Sequence, residues 1–334
     1  MLTTFVITCR DIKGKKFNAE PGPTRYLSVP AAADEILPAH EASTPKSWRK
    51  SIIAATTEAK NKMTGATGDV LVFVHGYNNT TKTVLMRTRT LSDTLMQAGW
   101  KGVVIAFDWP SDNSTLNYLE DRSDAAQTAL RLTQDSLTLM VDAQDPKDGA
   151  KPCTLNMHLL GHSTGAYVIM ESFAQAEKSG DLFKRPWRMG QVAFIGGDVA
   201  RDSLKESSDW GRPMFSRIMR LTNYASGFDQ ALAVSNAKRL GTAPRAGRVG
   251  LPADVPRKAV NVNCSSYFQT KDPKTSVYEG NFTHSWHIGD PVFALDLAMT
   301  LEGMIDRDVI PTRERIDGEL CLTPGQRPKY QKHW

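Results

Sequence analysis

Short unbroken apolar runs alternate along this chain with stretches in which apolar residues recur every three or four positions. Asp69-Val70-Leu71-Val72-Phe73-Val74, bounded by Gly68 and Gly76, is a run of the first kind. A segment with no polar face reads as a parallel strand buried on both sides. Val103–Phe107, Cys153–Leu160, Gln191–Ile195, Ile218–Tyr224 and the short Ala259–Val262 read as further strands. Between them, Val84, Leu91 and Leu95 share a helical face that stops at Gly99, and Ala126, Leu130, Leu137 and Val141 mark a longer helix. Tyr167, Met170, Phe173 and Ala174 place a helix over Ala166–Ala176, and another is expected from about Asp229 to Leu240. Asp290 reads as an N-cap with Pro291 at the first helical position, opening a helix through Val292, Leu295, Ala298 and Met299.

The flanks are less regular. Leu2–Cys9 reads as a first strand, Ala19–Pro45 as an irregular connection rich in Pro and Ala, and Trp48–Lys62 as a helix. Ser265–His284 has little pattern, and a long loop in a compact domain is often a functional cover. From Pro311 the chain turns polar and Pro-bearing, which predicts a loosely docked tail. The alternation of strands and helices defines the α/β class, with a mostly parallel central sheet and helices on both faces. The expected layout is a single domain over residues 1–310, with its core at 69–304, an N-terminal strand and connection at 1–68, and a tail at 311–334. The stretch between Ile195 and Ile218 is too short for a large lid domain.

Composition narrows the function classes. The 334 residues carry a net charge of +5 from scattered lysines and arginines, so no nucleic-acid partner is implied. No apolar stretch approaches a membrane span, so no stable membrane insertion is expected. Met1–Cys9 lacks a basic leader and reads as a strand rather than a signal peptide; the expected location is cytoplasmic. Cys9, Cys153, Cys264 and Cys321 form no C-x-x-C pair and read as reduced thiols; a Cys264–Cys321 disulfide would require export. No Cys/His spacing fits zinc, and no P-loop, G-x-G-x-x-G or H-E-x-x-H string occurs, so neither metal nor cofactor is expected. The sequence leaves the oligomeric state open.

Gly161-His162-Ser163-Thr164-Gly165 lies between a predicted strand and a predicted helix. In that context G-x-S-x-G is a nucleophile elbow, a strained turn that lifts a serine hydroxyl above a sheet and needs small neighbours. A serine hydroxyl needs a histidine to take its proton, and the imidazole needs a carboxylate to fix its tautomer. In this architecture those partners follow in the order Ser, acid, His. Asp229, just after the strand Ile218–Tyr224, and Asp198, after the preceding strand, are the candidate acids. As alternatives they read as a helix N-cap and a turn residue. His284 and His287, in Thr283-His284-Ser285-Trp286-His287, are the candidate bases, since His333 is almost terminal. A tetrahedral intermediate would accept from the Thr164 N–H and from the Tyr77 N–H in His75-Gly76-Tyr77-Asn78. His75, Asn78 and His162 read as braces of these turns. Trp109 and Trp286, with His162, are candidates for the substrate pocket or for core packing.

These segments resemble the α/β-hydrolase superfamily and, within it, a bacterial subfamily of uncharacterised serine hydrolases held to be esterases or lipases. The resemblance rests on Phe73–Asn78, Phe107-Asp108-Trp109-Pro110-Ser111, Tyr118–Ala125, Gly161–Ala166, Gly197-Asp198-Val199, Ser226–Leu232 and His284-Ser285-Trp286, spanning about residues 69–298. It implies Ser163 as nucleophile, Asp229 as acid and His284 as base. The chain departs from the subfamily at Gly197, where Pro is usual, at Trp286, where Tyr is usual, and in a longer loop before His284. The implied activity is hydrolysis of a small-molecule carboxylic ester. An amidase, peptidase or acyltransferase with the same triad, or a non-catalytic binding protein on the same fold, remain the alternatives.

Overall fold

In β3 (Val70–Val74) the side chains alternate between two cores. Val70, Val72 and Val74 join one hydrophobic cluster, and Leu71 and Phe73 join a second on the opposite face of the sheet. Both faces are covered, which is why the run needs no polar position. The computed structural model describes residues 3–58, 69–111, 128–129, 131–132, 137–145, 155–238, 244–273 and 281–328. Its strands are β1 (Thr4–Lys13), β2 (Lys16–Val29), β3, β4 (Val103–Asp108), β5 (Met157–His162), β6 (Met189–Ile195), β7 (Ile218–Ala225), β8 (Ala259–Asn263), β9 (Arg313–Ile316) and β10 (Glu319–Leu322). They form one sheet in the order β2-β1-β4-β3-β5-β6-β7-β8-β10-β9. All but the edge strands β2 and β9 run parallel to their neighbours. This is the α/β-hydrolase fold.

The main helices are α1 (Pro45–Glu58), α2 (Thr81–Gln97), α3 (Thr138–Gln144), α4 (Thr164–Ser179), α5 (Gln230–Lys238) and α6 (Pro291–Glu302). Trp48 and Ile52 of α1, Val141 of α3 and Phe173 of α4 pack into the first cluster. Leu91 and Leu95 of α2 and Phe293 and Leu297 of α6 pack into the second. Asp290 caps α6 by accepting the Phe293 N–H at 2.8 Å, with Pro291 behind it, as the sequence predicts.

Strand order also locates a site. From β3 the chain moves one way to β4, then crosses back over β3 to β5 and continues the other way through β6, β7 and β8. The loops leaving β3 and β5 therefore diverge, opening a crevice at the carboxyl ends of these strands, where open α/β sheets bind ligands.

Two expectations fail at the flanks. The Ala19–Pro45 stretch is not an irregular connection at its start. Its first part belongs to β2, antiparallel to β1 after a reversal at Gly14 (φ 66°). β2 carries Pro21 and Pro23 because it is an edge strand, where a missing N–H costs no ladder bond, and its pairing breaks register twice near Arg10. Nor are residues 311–322 a loose tail. Asp317-Gly318, both with positive φ (51° and 84°), turns β9 into β10, and β10 pairs with β8. The stretch before His284, read as patternless, also holds helical turns at Ser265–Gln269 and Phe282–Ser285.

The resemblance segment Tyr118–Ala125, most of the helix expected around Ala126–Leu137, Cys153 and His333 lie outside the described residues. Cys9, Cys264 and Cys321 are buried free thiols, so Cys264 and Cys321 do not pair. Among the described residues no helix is long and apolar enough to cross a membrane.

Candidate active site

β5 ends at His162, and α4 begins at Thr164, leaving Ser163 alone in the turn with φ 56° and ψ −123°. A non-glycine residue at that φ is strained, and here the close approach of three backbones holds it. A Cβ added to Gly76 would lie 2.6 Å from the Ser163 Cβ, and one added to Gly165 would lie 2.1 Å from the Val74 carbonyl oxygen. Glycine is therefore required at both places for β3, the β3 loop and the elbow to meet. From Met157 to Ala166 every residue except Ser163 is buried, so the turn presents the serine and little else.

The imidazole of His284, on the helical turn before α6, meets the carboxylate of Asp229 with Nδ1 2.7 Å from Oδ2. Both are largely out of water, at 8% and 1% exposure. The second Asp229 oxygen accepts the Leu232 N–H at 3.0 Å. Asp229 thus caps α5 and also meets the imidazole of His284. Its bond to Nδ1 assigns the proton there and leaves Nε2 as the ring's basic nitrogen. The Ser163 hydroxyl makes no hydrogen bond to His284 in this arrangement; such links are commonly long before substrate binds.

Gly196 connects the two halves. The Ser163 N–H donates to the Ile195 carbonyl at 3.1 Å, and the Ser163 carbonyl accepts the Asp198 N–H at 3.0 Å, so the elbow is laced to the Gly196-Gly197 turn after β6. A Cβ on Gly196 (φ 52°) would lie 2.9 Å from His284 Cε1 and 3.1 Å from Asp229 Oδ2. Sequence reasoning missed this residue, although a glycine doublet ending a predicted strand is a visible signal of close approach.

The alternative residues are placed elsewhere. Asp198 is buried against Arg245, Oδ1 to Nε 3.0 Å, where it pins the Arg245–Val249 segment to the β6 turn. His287 is stacked on Trp286 at 4.1 Å and edge-on to Phe293 at 5.3 Å, and burial, with the nearby charge of His284, lowers its pKa to about 3. A ring so hard to protonate is a poor general base near neutrality. His162 lies 4.7 Å from His284, centroid to centroid, with Nε2 3.3 Å from the His284 carbonyl oxygen. Burial first, and then His284, keep it neutral.

Trp109 and Trp286 are buried and packed into the frame rather than exposed in a pocket. Trp109 stacks on His75 at 5.5 Å and donates its ring N–H to the His75 carbonyl at 2.8 Å.

The β3 loop is held by an unusually complete set of bonds. His75 Nδ1 lies 2.7 Å from the Gly76 carbonyl oxygen, and Nε2 accepts the Trp109 N–H at 3.1 Å. Burial, which outweighs the neighbouring Asp108, lowers the His75 pKa and keeps it neutral. Burial raises the Asp108 pKa, but the Arg10 guanidinium beside it outweighs this and holds the carboxylate below its usual range. Arg10 Nε donates to Asp108 at 2.8 Å. Asn78, expected to brace the loop, instead takes the positive-φ position (55°), and the bracing side chain is Asn79. Among the described residues no group of three or more His, Cys, Asp or Glu could hold a metal ion.

A parallel sheet with a strained Ser turn at its switch point, and a buried Asp–His pair on later loops, fits the α/β-hydrolase class. Residues 52–257 match the sequence profile of a family described as α/β hydrolases of unknown function, DUF900. The chain belongs to that family. No curated protein matches the sequence. Solved structures with a similar fold include Aspergillus fumigatus lipase B, at 12% identity and TM-score 0.40, covering 90% of this chain and 66% of that one. Trichoderma reesei cutinase is similar at 11% identity and TM-score 0.31, covering 70% of this chain and 75% of that one. A metagenomic carboxyl esterase is similar at 15% identity and TM-score 0.33, covering 71% and 76% respectively. Likenesses this distant say nothing about substrate.

Proposed function

We propose that the protein is a serine hydrolase that cleaves carboxylic esters through an acyl-enzyme. The observation that carries the reading is the buried 2.7 Å bond from His284 Nδ1 to Asp229, on loops that converge with the half-buried elbow serine. Ser163 Oγ attacks the ester carbonyl carbon while its proton passes to His284 Nε2. Asp229 holds the imidazole in orientation and stabilises its positive charge. The carbonyl electron pair moves onto oxygen, which accepts hydrogen bonds from the Tyr77 and Thr164 N–H groups. Thr164 is the first residue of α4, where the amide has no acceptor within the helix. Collapse of the intermediate expels the alcohol, protonated by His284. Water then attacks the acyl carbon, giving its proton to His284, and departure of Ser163 with that proton releases the acid.

Hydrolysis of a chain-length series of nitrophenyl esters tests this. Wild type is expected to turn over, and Ser163→Ala to lose about 10³-fold or more in kcat. Equal rates for the two proteins would remove the acyl-enzyme reading, and turnover confined to amides or to transfer onto an acceptor other than water would change the reaction class.

A further inference from the structure

The peptide unit that carries the Tyr77 N–H begins with the Gly76 carbonyl. In a planar trans peptide the N–H and C=O point in opposite directions, so whatever fixes the carbonyl aims the amide. The Gly76 oxygen accepts from Asn79 Nδ2 at 2.8 Å and has His75 Nδ1 at 2.7 Å. The same Asn79 amide donates to the Tyr77 carbonyl at 2.9 Å, holding the next peptide as well.

Asn79 is itself fully engaged. Its Oδ1 accepts from Arg87 Nη1 at 2.8 Å, its carbonyl accepts from Arg10 Nη2 at 2.8 Å, and its N–H donates to Ser111 Oγ at 3.1 Å. It is 1% exposed. Buried asparagine with every group satisfied has one orientation, because any flip leaves buried donors facing donors. Arg10 in turn is fixed by Asp108.

We infer that Asn79 is a positioning residue for the oxyanion hole: with His75 it sets the direction of the Tyr77 N–H, and Arg10, Arg87 and Ser111 lock it from β1, α2 and the segment after β4. This rests on the serine-hydrolase reading above. A group acting only in the transition state changes kcat and leaves substrate binding alone.

The test is Asn79→Asp, which keeps the shape and the Arg87 and Arg10 contacts but turns the donor facing two carbonyls into an acceptor. With a nitrophenyl ester, kcat is expected to fall about 10²-fold at little-changed KM. The rate at which a nitrophenyl phosphonate labels Ser163, read by intact mass, should fall in parallel, because that adduct also needs the hole. Ser111→Ala is expected to give a smaller fall in the same direction, and serves if Asn79→Asp does not fold. Thr312→Val, which loses a buried bond to Asp296 far from the loop, is the control for stability alone: lower Tm, wild-type kcat. Wild-type kcat in folded Asn79→Asp, or a fall seen only in KM, overturns the positioning role. If wild type is neither active nor labelled, or Ser163→Ala equals it, the serine reading itself falls and the role with it.

Discussion

Gly196 is the residue whose replacement best separates geometry from stability. Alanine there would put its methyl 2.9 Å from His284 Cε1 and 3.0 Å from Nδ1, closer than side chains approach one another. Gly14 has a similar φ (66° against 52°) but nothing within 4 Å of an added Cβ. Both changes force alanine into the left-handed region, at a cost of about 1–2 kcal/mol. Only Gly196→Ala also displaces the imidazole. It is expected to lower kcat about 10²-fold, while Gly14→Ala lowers Tm and leaves kcat alone. Parallel kcat values in the two variants would show that the His284 position does not depend on Gly196.

At the scale of elements, the buried runs were legible because a strand covered on both faces has one solution: β3, β4 and β6 appear where Val70–Val74, Val103–Phe107 and Gln191–Ile195 place them. Strand ends placed Ser163, two candidate acids (Asp229 and Asp198) and two candidate bases (His284 and His287) in order; the Asp229–His284 bond is a contact that no sequence period announces. The flanks were not legible. β2 is an edge strand with two prolines and no apolar alternation, and β9 is largely exposed, so neither carries a period. What ties β9 down is polar. Arg313 donates to both Asp296 oxygens, Nη2 to Oδ1 at 2.6 Å and Nε to Oδ2 at 2.9 Å, and Tyr224 and Thr312 hydroxyls donate to the same carboxylate at 2.6 Å each. No sequence period announces a contact between α6 and a strand this far along the chain. Both charged side chains are wholly buried, so removing one leaves the other uncompensated. Arg313→Met is expected to cost about 3–5 kcal/mol in denaturant unfolding, and adding Asp296→Leu to recover part of that loss. Additive costs in the double variant would mean that the two residues do not act as a pair.

Across the whole molecule, burying neutral imidazoles makes stability depend on pH. The folded His287 pKa is about 3 against an ordinary 6.5, because burial and the charge of His284 both disfavour its protonated form. Above pH 6.5 the ring is neutral whether the chain is folded or not, so it contributes no pH dependence. Below 6.5 the unfolded chain binds a proton that the folded chain refuses. Stability then falls with pH, by up to about 1.4 kcal/mol per unit from this group, down to about pH 3. His162 and His75 are shifted in the same direction by burial and add to the slope. The lowered Asp108 adds a further loss once the pH drops through the carboxylate range. Among the described residues His287 has no hydrogen-bond partner at either ring nitrogen, and its ring contacts are aromatic. His287→Phe keeps those contacts and abolishes the titration. Unfolding free energies at pH 8 should therefore match or exceed wild type, and between pH 6 and pH 4 the decline should be shallower by close to one proton. An unchanged slope would mean that the folded chain takes up that proton after all, which the packing of Trp286 and Phe293 around the ring opposes.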